Sequence, residues 1–228
     1  MNNKHSKRYR KSAEEYDRSK AYPLTEAVTL VKKTANTKFN AGIEVHFNLG
    51  INPGQSSQTV KGTVALPHGT GKKVKVAVFC SPDNEIAVKE AGAGLVGGEE
   101  LIKEIKKTEK TDFDVAVATP EMMRQLAQIA KILGTRGLMP SPKNDTVSKD
   151  PAKTVAELMK GKVTFKSDNT GQVHLLAGKA SFEDKVLQEN ITAIIDAVKG
   201  VKPADAKGTY LKAITIASSM GPGIKLAI

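Results

Sequence analysis

One cysteine in 228 residues, Cys80, rules out any disulfide within the chain, and a protein of the reducing cytoplasm needs none. No stretch approaches the roughly 20 apolar residues of a membrane span, so the chain reads as soluble, globular and cytoplasmic, with no membrane partner. The four histidines, His5, His46, His68 and His174, lack metal-ligand spacing, and one thiol cannot build a zinc cluster. No metal or other cofactor is expected. Neither Ser218 nor Ser219 sits in a nucleophile elbow, and the sequence places no base beside Cys80, which ends an apolar run. The N-terminal stretch with Lys4, Lys7, Arg8, Arg10 and Lys11 has no apolar segment behind it. It is therefore not a secretory signal and reads as a flexible basic arm or a merely solvated tail.

What the chain does have is positive charge, unevenly divided. Residues 68 to 159 carry 14 Lys+Arg against 13 Asp+Glu, net +1, while the rest carry 21 against 11, net +10. An excess confined to the two chain ends implies that those ends form one basic body suited to a polyanion, with the neutral middle inserted into it. The length exceeds one typical domain, and 39% hydrophobic content supplies cores for two.

The pattern along the chain agrees. A helix is expected from Tyr22-Pro23 through Leu24, Ala27, Val28 and Val31, followed by a strand from Ile43 to Leu49 that alternates Val45, Phe47 and Leu49 with Glu44, His46 and Asn48. Thr59 to Leu66 reads as the partner of that strand. From Val74 short apolar strands alternate with helices: a strand to Phe79, a helix from about Glu85, a strand near Leu95, a helix from Glu99 to Lys106, a strand from Val115 to Ala118, and helices from Pro120 and Pro151. Such alternation implies a parallel sheet covered on both faces. After Gly161, Val163 to Lys166 and Gln172 to Leu176 read as a hairpin around Ser167 to Gly171. A long helix capped by Ser181 follows, with Val186, Leu187, Ile191, Ile194, Ile195 and Val198 buried, and then a strand from Tyr210 to Ala217. The fold class is thus a two-layer α+β domain from residues 1–67 plus 160–228, with an inserted three-layer, Rossmann-like α/β domain at 68–159.

Two glycine segments invite an enzymatic reading. Gly92-Ala93-Gly94-Leu95-Val96-Gly97 matches the dinucleotide fingerprint letter for letter, yet it follows a helix-like run where the fingerprint requires a strand, so Gly92 reads as a helix C-cap. A nucleotide-dependent enzyme using this segment is the alternative function. Gly69-Thr70-Gly71-Lys72-Lys73 lacks the leading glycine and the closing Ser or Thr of a phosphate loop and reads as a linker. More unusual is Ser218-Ser219-Met220-Gly221-Pro222-Gly223, small residues around one soft apolar side chain. With Lys38-Phe39 and the polar turn Asp168-Asn169-Thr170-Gly171, it offers hydroxyls, a cation and apolar faces to RNA if the three segments meet on one sheet.

In order and combination these residues are familiar. Lys38-Phe39 through Glu44-Val45-His46, Gly62 to Lys72, Leu133-Gly134-Thr135-Arg136-Gly137-Leu138-Met139-Pro140, Asp168 to Gly171, and Ser219 to Pro222 together make the chain resemble the bacterial ribosomal protein L-one family of the large subunit over nearly its whole length. The resemblance implies a structural protein, monomeric within the ribosome, whose discontinuous first domain grips the rRNA junction of the mobile stalk beside the tRNA exit site. It implies help in releasing deacylated tRNA, and repression of translation through a similar fold in its own mRNA leader. It further implies that Lys38, Phe39, Glu44, Asp168, Thr170, Gly171, Ser219, Met220 and Gly221 face RNA, with Lys166 and Lys179 as phosphate contacts. Gly42, Asn169, Gly223 and Thr135 depart from the family pattern, where threonine, lysine, serine and proline are usual.

Overall fold

The computed structural model describes residues 6–72, 74–142, 145–206 and 208–227 and has a mixed α/β fold. The chain divides into two compact units, residues 1–71 with 163–228, and residues 72–162. Both crossings lie slightly beyond the boundaries read from charge, which moves Lys160 and Lys162 and leaves net +8 on the first unit and +3 on the second. The first unit holds α1 (Lys7–Glu14), α2 (Leu24–Thr34), β1 (Gly42–Leu49), β2 (Lys61–Ala65), β6 (Lys162–Lys166), β7 (Gln172–Lys179), α8 (Asp184–Gly200), β8 (Leu211–Ser218) and β9 (Gly223–Lys225). The second holds β3 (Val76–Phe79), α3 (Pro82–Glu90), β4 (Leu95–Gly97), α4 (Glu99–Thr108), β5 (Val115–Ala118), α5 (Met123–Leu126), α6 (Ala130–Thr135) and α7 (Pro151–Met159).

Strict alternation along β1 sends Ile43, Val45, Phe47 and Leu49 inward, all buried. β1 lies between β7 and β8, antiparallel to both, and β9 extends the sheet to the order β7-β1-β8-β9. The inner face packs on Ala27, Val28 and Val31 of α2 and on Leu187, Ile191, Ile194 and Val198 of α8. Each such valine, leucine or isoleucine contributes about 1.5–3 kcal/mol by leaving water. Because β7 and β8 occupy both edges of β1, β2 cannot pair with it as expected, and it joins β6 in a separate two-stranded sheet. The expected hairpin is absent for the same reason. Asp168 N–H donates to the Gln172 carbonyl and closes the turn, but Ser167 N–H donates to Val60 and carries β6 toward β2.

Two local expectations are corrected. The basic arm is helical from Lys7, with Ser6 accepting from Tyr9 N–H at 3.3 Å, while Lys4 and His5 lie outside the described residues. The N-cap of α8 is Glu183, without a side-chain cap bond, because the Ser181 hydroxyl instead accepts from Asn40 Nδ2 at 2.9 Å.

In the second unit the parallel sheet β4-β3-β5 has a core on each face. Ala77, Phe79, Ala116 and Ala118 pack with Ile102, Ile105, Leu126, Ile129 and Leu133, whereas Val76, Val78 and Val117 pack with Val88, Val155 and Leu158. The helix expected from Pro120 starts only at Met123. Met122 N–H turns back to the Thr119 carbonyl, and the buried Thr119 hydroxyl makes no cap.

Asn190 ties the linker to the first unit's core. Fully buried in α8, it donates to the carbonyls of Gly69 and Ala177 and accepts from His68 N–H. Replacing it with leucine strands three backbone groups, each costing about 1–3 kcal/mol when buried and unpaired. Asn190→Leu is therefore expected to lower stability by about 3 kcal/mol in urea unfolding; an unchanged midpoint would refute this account of the linker.

Candidate nucleic-acid interface

The helices cover one face of the four-stranded sheet, and the outward residues of the other face are Glu44, His46, Asn48, Gln172, His174, Leu176, Ala213, Thr215, Ala217 and Lys225. Ala213, Thr215 and Ala217 give the β8 side low relief, so a backbone can approach it closely. At one end of this face lie Lys38 and Phe39, which lead into β1, and Ser219, Met220 and Gly221, which follow β8; Ser219 N–H bonds to the Gly42 carbonyl at 2.9 Å. Lys166, Asp168, Thr170 and Gly171 lie at the other end, where Leu49 N–H bonds to the Gly171 carbonyl. The three expected segments therefore form two clusters separated by the length of β1, about 23 Å at the usual strand rise.

A row of titratable side chains joins the clusters. The Glu44 carboxylate is 3.8 Å from His46 Nε2, the His46 and His174 Nδ1 atoms are 2.8 Å apart, and His174 Nε2 is 3.8 Å from Asp168. One Nδ1 must carry the proton that the other accepts. Burial and the neighbouring His174 hold the His46 pKa below its ordinary value. The sequence marks neither histidine as an RNA-facing group, although the alternation that puts Glu44 and His46 on one strand face is the available signal. The opposing position of His174 needed the register of β7.

The loop at 218–221 carries backbone strain. Gly221 N–H closes a turn onto the Ser218 carbonyl at 2.8 Å, and Met220 takes a left-handed φ of 63° while remaining 70% exposed. A non-glycine residue in that region is costly, and such strain concentrates where a side chain must be presented. A Cβ at Gly221 would lie 2.1 Å from Ser218 Oγ, so any larger residue there would force the Ser218 hydroxyl to turn away. Phe39, 56% exposed, is the second apolar group at this end of the face. Added Cβ atoms at Gly42 and Gly223 would come within 2.8 Å of Leu176 Cδ1 and Thr215 Cγ2 respectively, side-chain ends that would have to shift.

At the opposite end the Asp168 carboxylate is turned into its own loop. It accepts from the N–H groups of Gln172 and Thr170 and from the Thr170 hydroxyl, and these bonds, led by Gln172, hold its pKa below the usual carboxylate range. Asp168 thus shapes the turn, leaving Lys166 and the Thr170 edge as its outward chemistry. Thr135, in the other unit, ends α6 with its hydroxyl on the Lys131 and Ile132 carbonyls. Ala91 is the C-cap of α3 and Gly92 follows it with φ 95°, and the later glycines lead through β4 into α4, whose first turn carries Glu99 and Glu100 and would repel a phosphate. Among the described residues no group of three or more His, Cys, Asp or Glu is placed to hold a metal ion, and no helix is long and apolar enough to cross a membrane.

Comparison with known proteins gives a consistent result. The model of the ribosomal protein L1p/L10e family matches residues 31–222. A protein of Mycoplasma capricolum named large ribosomal subunit protein uL1 is 48% identical over 221 residues, 97% of either chain. Proteins of the same name from Solidesulfovibrio magneticus and Kosmotoga olearia are 49% and 48% identical, covering 98% of this chain and 94% and 96% of their own.

Two outcomes follow from this geometry. Met220→Gly, by relieving the left-handed strain, is expected to stabilise the free protein by about 1 kcal/mol in thermal unfolding, and a lowered midpoint would show that Met220 is not strained. His46, with its pKa held down in the folded chain, adds stability that is complete above its unfolded value near 6.5 and is lost as the pH falls through the lowered folded value. His46→Gln should flatten the stability profile on that acid side; an unaltered profile would show that His46 does not contribute.

Proposed function

The chain belongs to the ribosomal protein L1p/L10e family, and from that premise we propose that it binds rRNA through the open sheet face of its first unit. It is a large ribosomal subunit protein and not an enzyme. The unit built from the chain ends is the RNA-binding domain, the middle of the chain is an inserted domain, and the rRNA target is the junction of the mobile stalk in the cytoplasmic ribosome. There the protein assists release of deacylated tRNA from the exit site, and the same surface recognises the leader of its own mRNA.

The observation that carries this reading is Met220, apolar, exposed and held in a strained conformation at the edge of an uncovered polar sheet in the more basic unit. The chemistry suits RNA more than DNA. An A-form helix presents a wide, shallow minor groove lined with 2′-hydroxyls, which the low relief of Ala213, Thr215 and Ala217 can approach. Met220 and Phe39 exclude water from ribose or base faces, Ser219, Thr170 and the Gly171 and Gly221 main chain exchange hydrogen bonds with 2′-hydroxyls, and Lys38 and Lys166 meet phosphates. Glu44 is tolerated near phosphate where its carboxylate accepts hydrogen bonds from 2′-hydroxyls.

Binding of the full chain to a stalk-junction rRNA fragment and to an unrelated duplex, across a salt series, tests the proposal. Selectivity should persist as salt rises. Lys38→Ala and Lys166→Ala should each reduce the salt slope by about 0.7–0.9, and Met220→Ala should weaken the junction complex about tenfold while leaving duplex binding unchanged. The mRNA leader should compete for the same surface. Equal affinity for both RNAs, collapsing together with salt, would mean that charge alone is at work and that the assigned residues are wrong.

A further inference from the structure

We infer that Arg8, on α1, is a positioning residue that couples the two loops at one end of the RNA face, so that the N-terminal helix pre-organises the site. This rests on the RNA-binding reading above. The Arg8 guanidinium donates from Nη2 to the Met220 carbonyl and from Nη1 to Asn36 Oδ1, both at 3.0 Å. The first acceptor belongs to the strained Met220 turn. The second lies two residues before Lys38-Phe39. One planar cation therefore bridges two segments 184 positions apart in the chain.

The bridge is anchored from both sides. Asn36 Nδ2 donates to the hydroxyl of Ser12, which is 1% exposed and one helical turn beyond Arg8, so α1 holds Asn36 at two points. The peptide after α1 continues along the same hairpin. The Tyr16 hydroxyl donates to the Gly223 carbonyl at 2.7 Å, and Tyr22 N–H donates to the Lys225 carbonyl at 3.0 Å. Residues 8, 16 and 22 thus grip 220, 223 and 225 in turn. Arg8 is half-buried, as is Arg10, whereas Lys7 and Lys11 on the same helix are exposed, and the Arg8 guanidinium reaches the Met220 loop.

The physical consequence concerns Met220. Its left-handed conformation is intrinsically unfavourable and persists only while the surroundings over-determine it. A charged donor on the Met220 carbonyl is such a restraint, because any change in the Met220 ψ angle swings that oxygen away from Arg8. Lysine cannot substitute: an ammonium acts as a point charge, whereas the guanidinium fork meets two acceptors in one plane. A loop held in its binding conformation binds RNA without paying the entropy of ordering at that moment.

The test compares Arg8→Ala and Arg8→Lys with Lys11→Ala, which removes the same charge from the same helix. In the free protein, exchange of the Gly221 amide, bonded to Ser218 within the turn, should accelerate about tenfold in both Arg8 variants and not in Lys11→Ala, with β1 and β8 amides unchanged. With stalk-junction RNA, both Arg8 variants should bind about tenfold more weakly, against about twofold for Lys11→Ala. The loss caused by Met220→Ala should largely disappear in the Arg8→Ala background, because an unrestrained loop no longer presents Met220. Full affinity in Arg8→Lys, or equal losses in Arg8→Ala and Lys11→Ala with normal Gly221 protection, would reduce Arg8 to a phosphate charge and overturn the inference. If the wild-type protein fails to select the junction RNA, the RNA reading falls, and the exchange measurement still decides whether Arg8 restrains the loop.

Discussion

Antiparallel pairing of β1 with strands from the far end of the chain is the constraint on which the rest of the first unit depends. It determines which β1 residues go inward to meet α2 and α8 and which remain on the open face. A slip of one residue would exchange the two sets, burying Glu44 and His46 and exposing Val45 and Phe47. The register also sets where the loops lie, since Ser218 opposite Ile43 puts Met220 at the start of β1, and Gln172 opposite Asn48 puts the Asp168 turn at its end.

Local pattern was a good guide where burial follows period and a poor one where a partner must be chosen. The inward stripe of β1, the apolar face of α2, the strand at Val115 to Ala118 and the long helix before the last strand were all legible, because alternation and the helical repeat are properties of a short window. Pairing is not. β2 looked like the neighbour of β1, and β6 with β7 looked like a hairpin, because nothing in either window shows that β7 and β8 already fill both edges of β1. The sequence of α1 suggests a flexible arm for a related reason: it is rich in charge and buries little beyond Ser12 and Ala13, and its bonds to residues 36 and 220 exist only in the fold.

The candidate site divides in the same manner. The residue types at its two ends stood out in the sequence as small polar turns beside a cation and an aromatic. That they lie at opposite ends of one strand, joined by Glu44, His46, His174 and Asp168, required the three-dimensional register. Asp168 is instructive. Its chemistry is that of a ligand contact, yet its carboxylate is committed to Gln172 and Thr170, so the loop shape and not the charge is what it contributes.

Because β8 and β9 follow the other strands of this sheet in the chain and sit directly beside and beyond β1, this sheet cannot be completed until that segment has been made. The second unit, whose strands and helices all lie within one continuous stretch, has every contact partner available much earlier in synthesis. Through that interval β1 has one edge unpaired and Val45 and Phe47 without their full cover. The basic face takes shape only once β8 and β9 are free of the tunnel, so the order of synthesis itself withholds a sticky polycation until that segment has emerged.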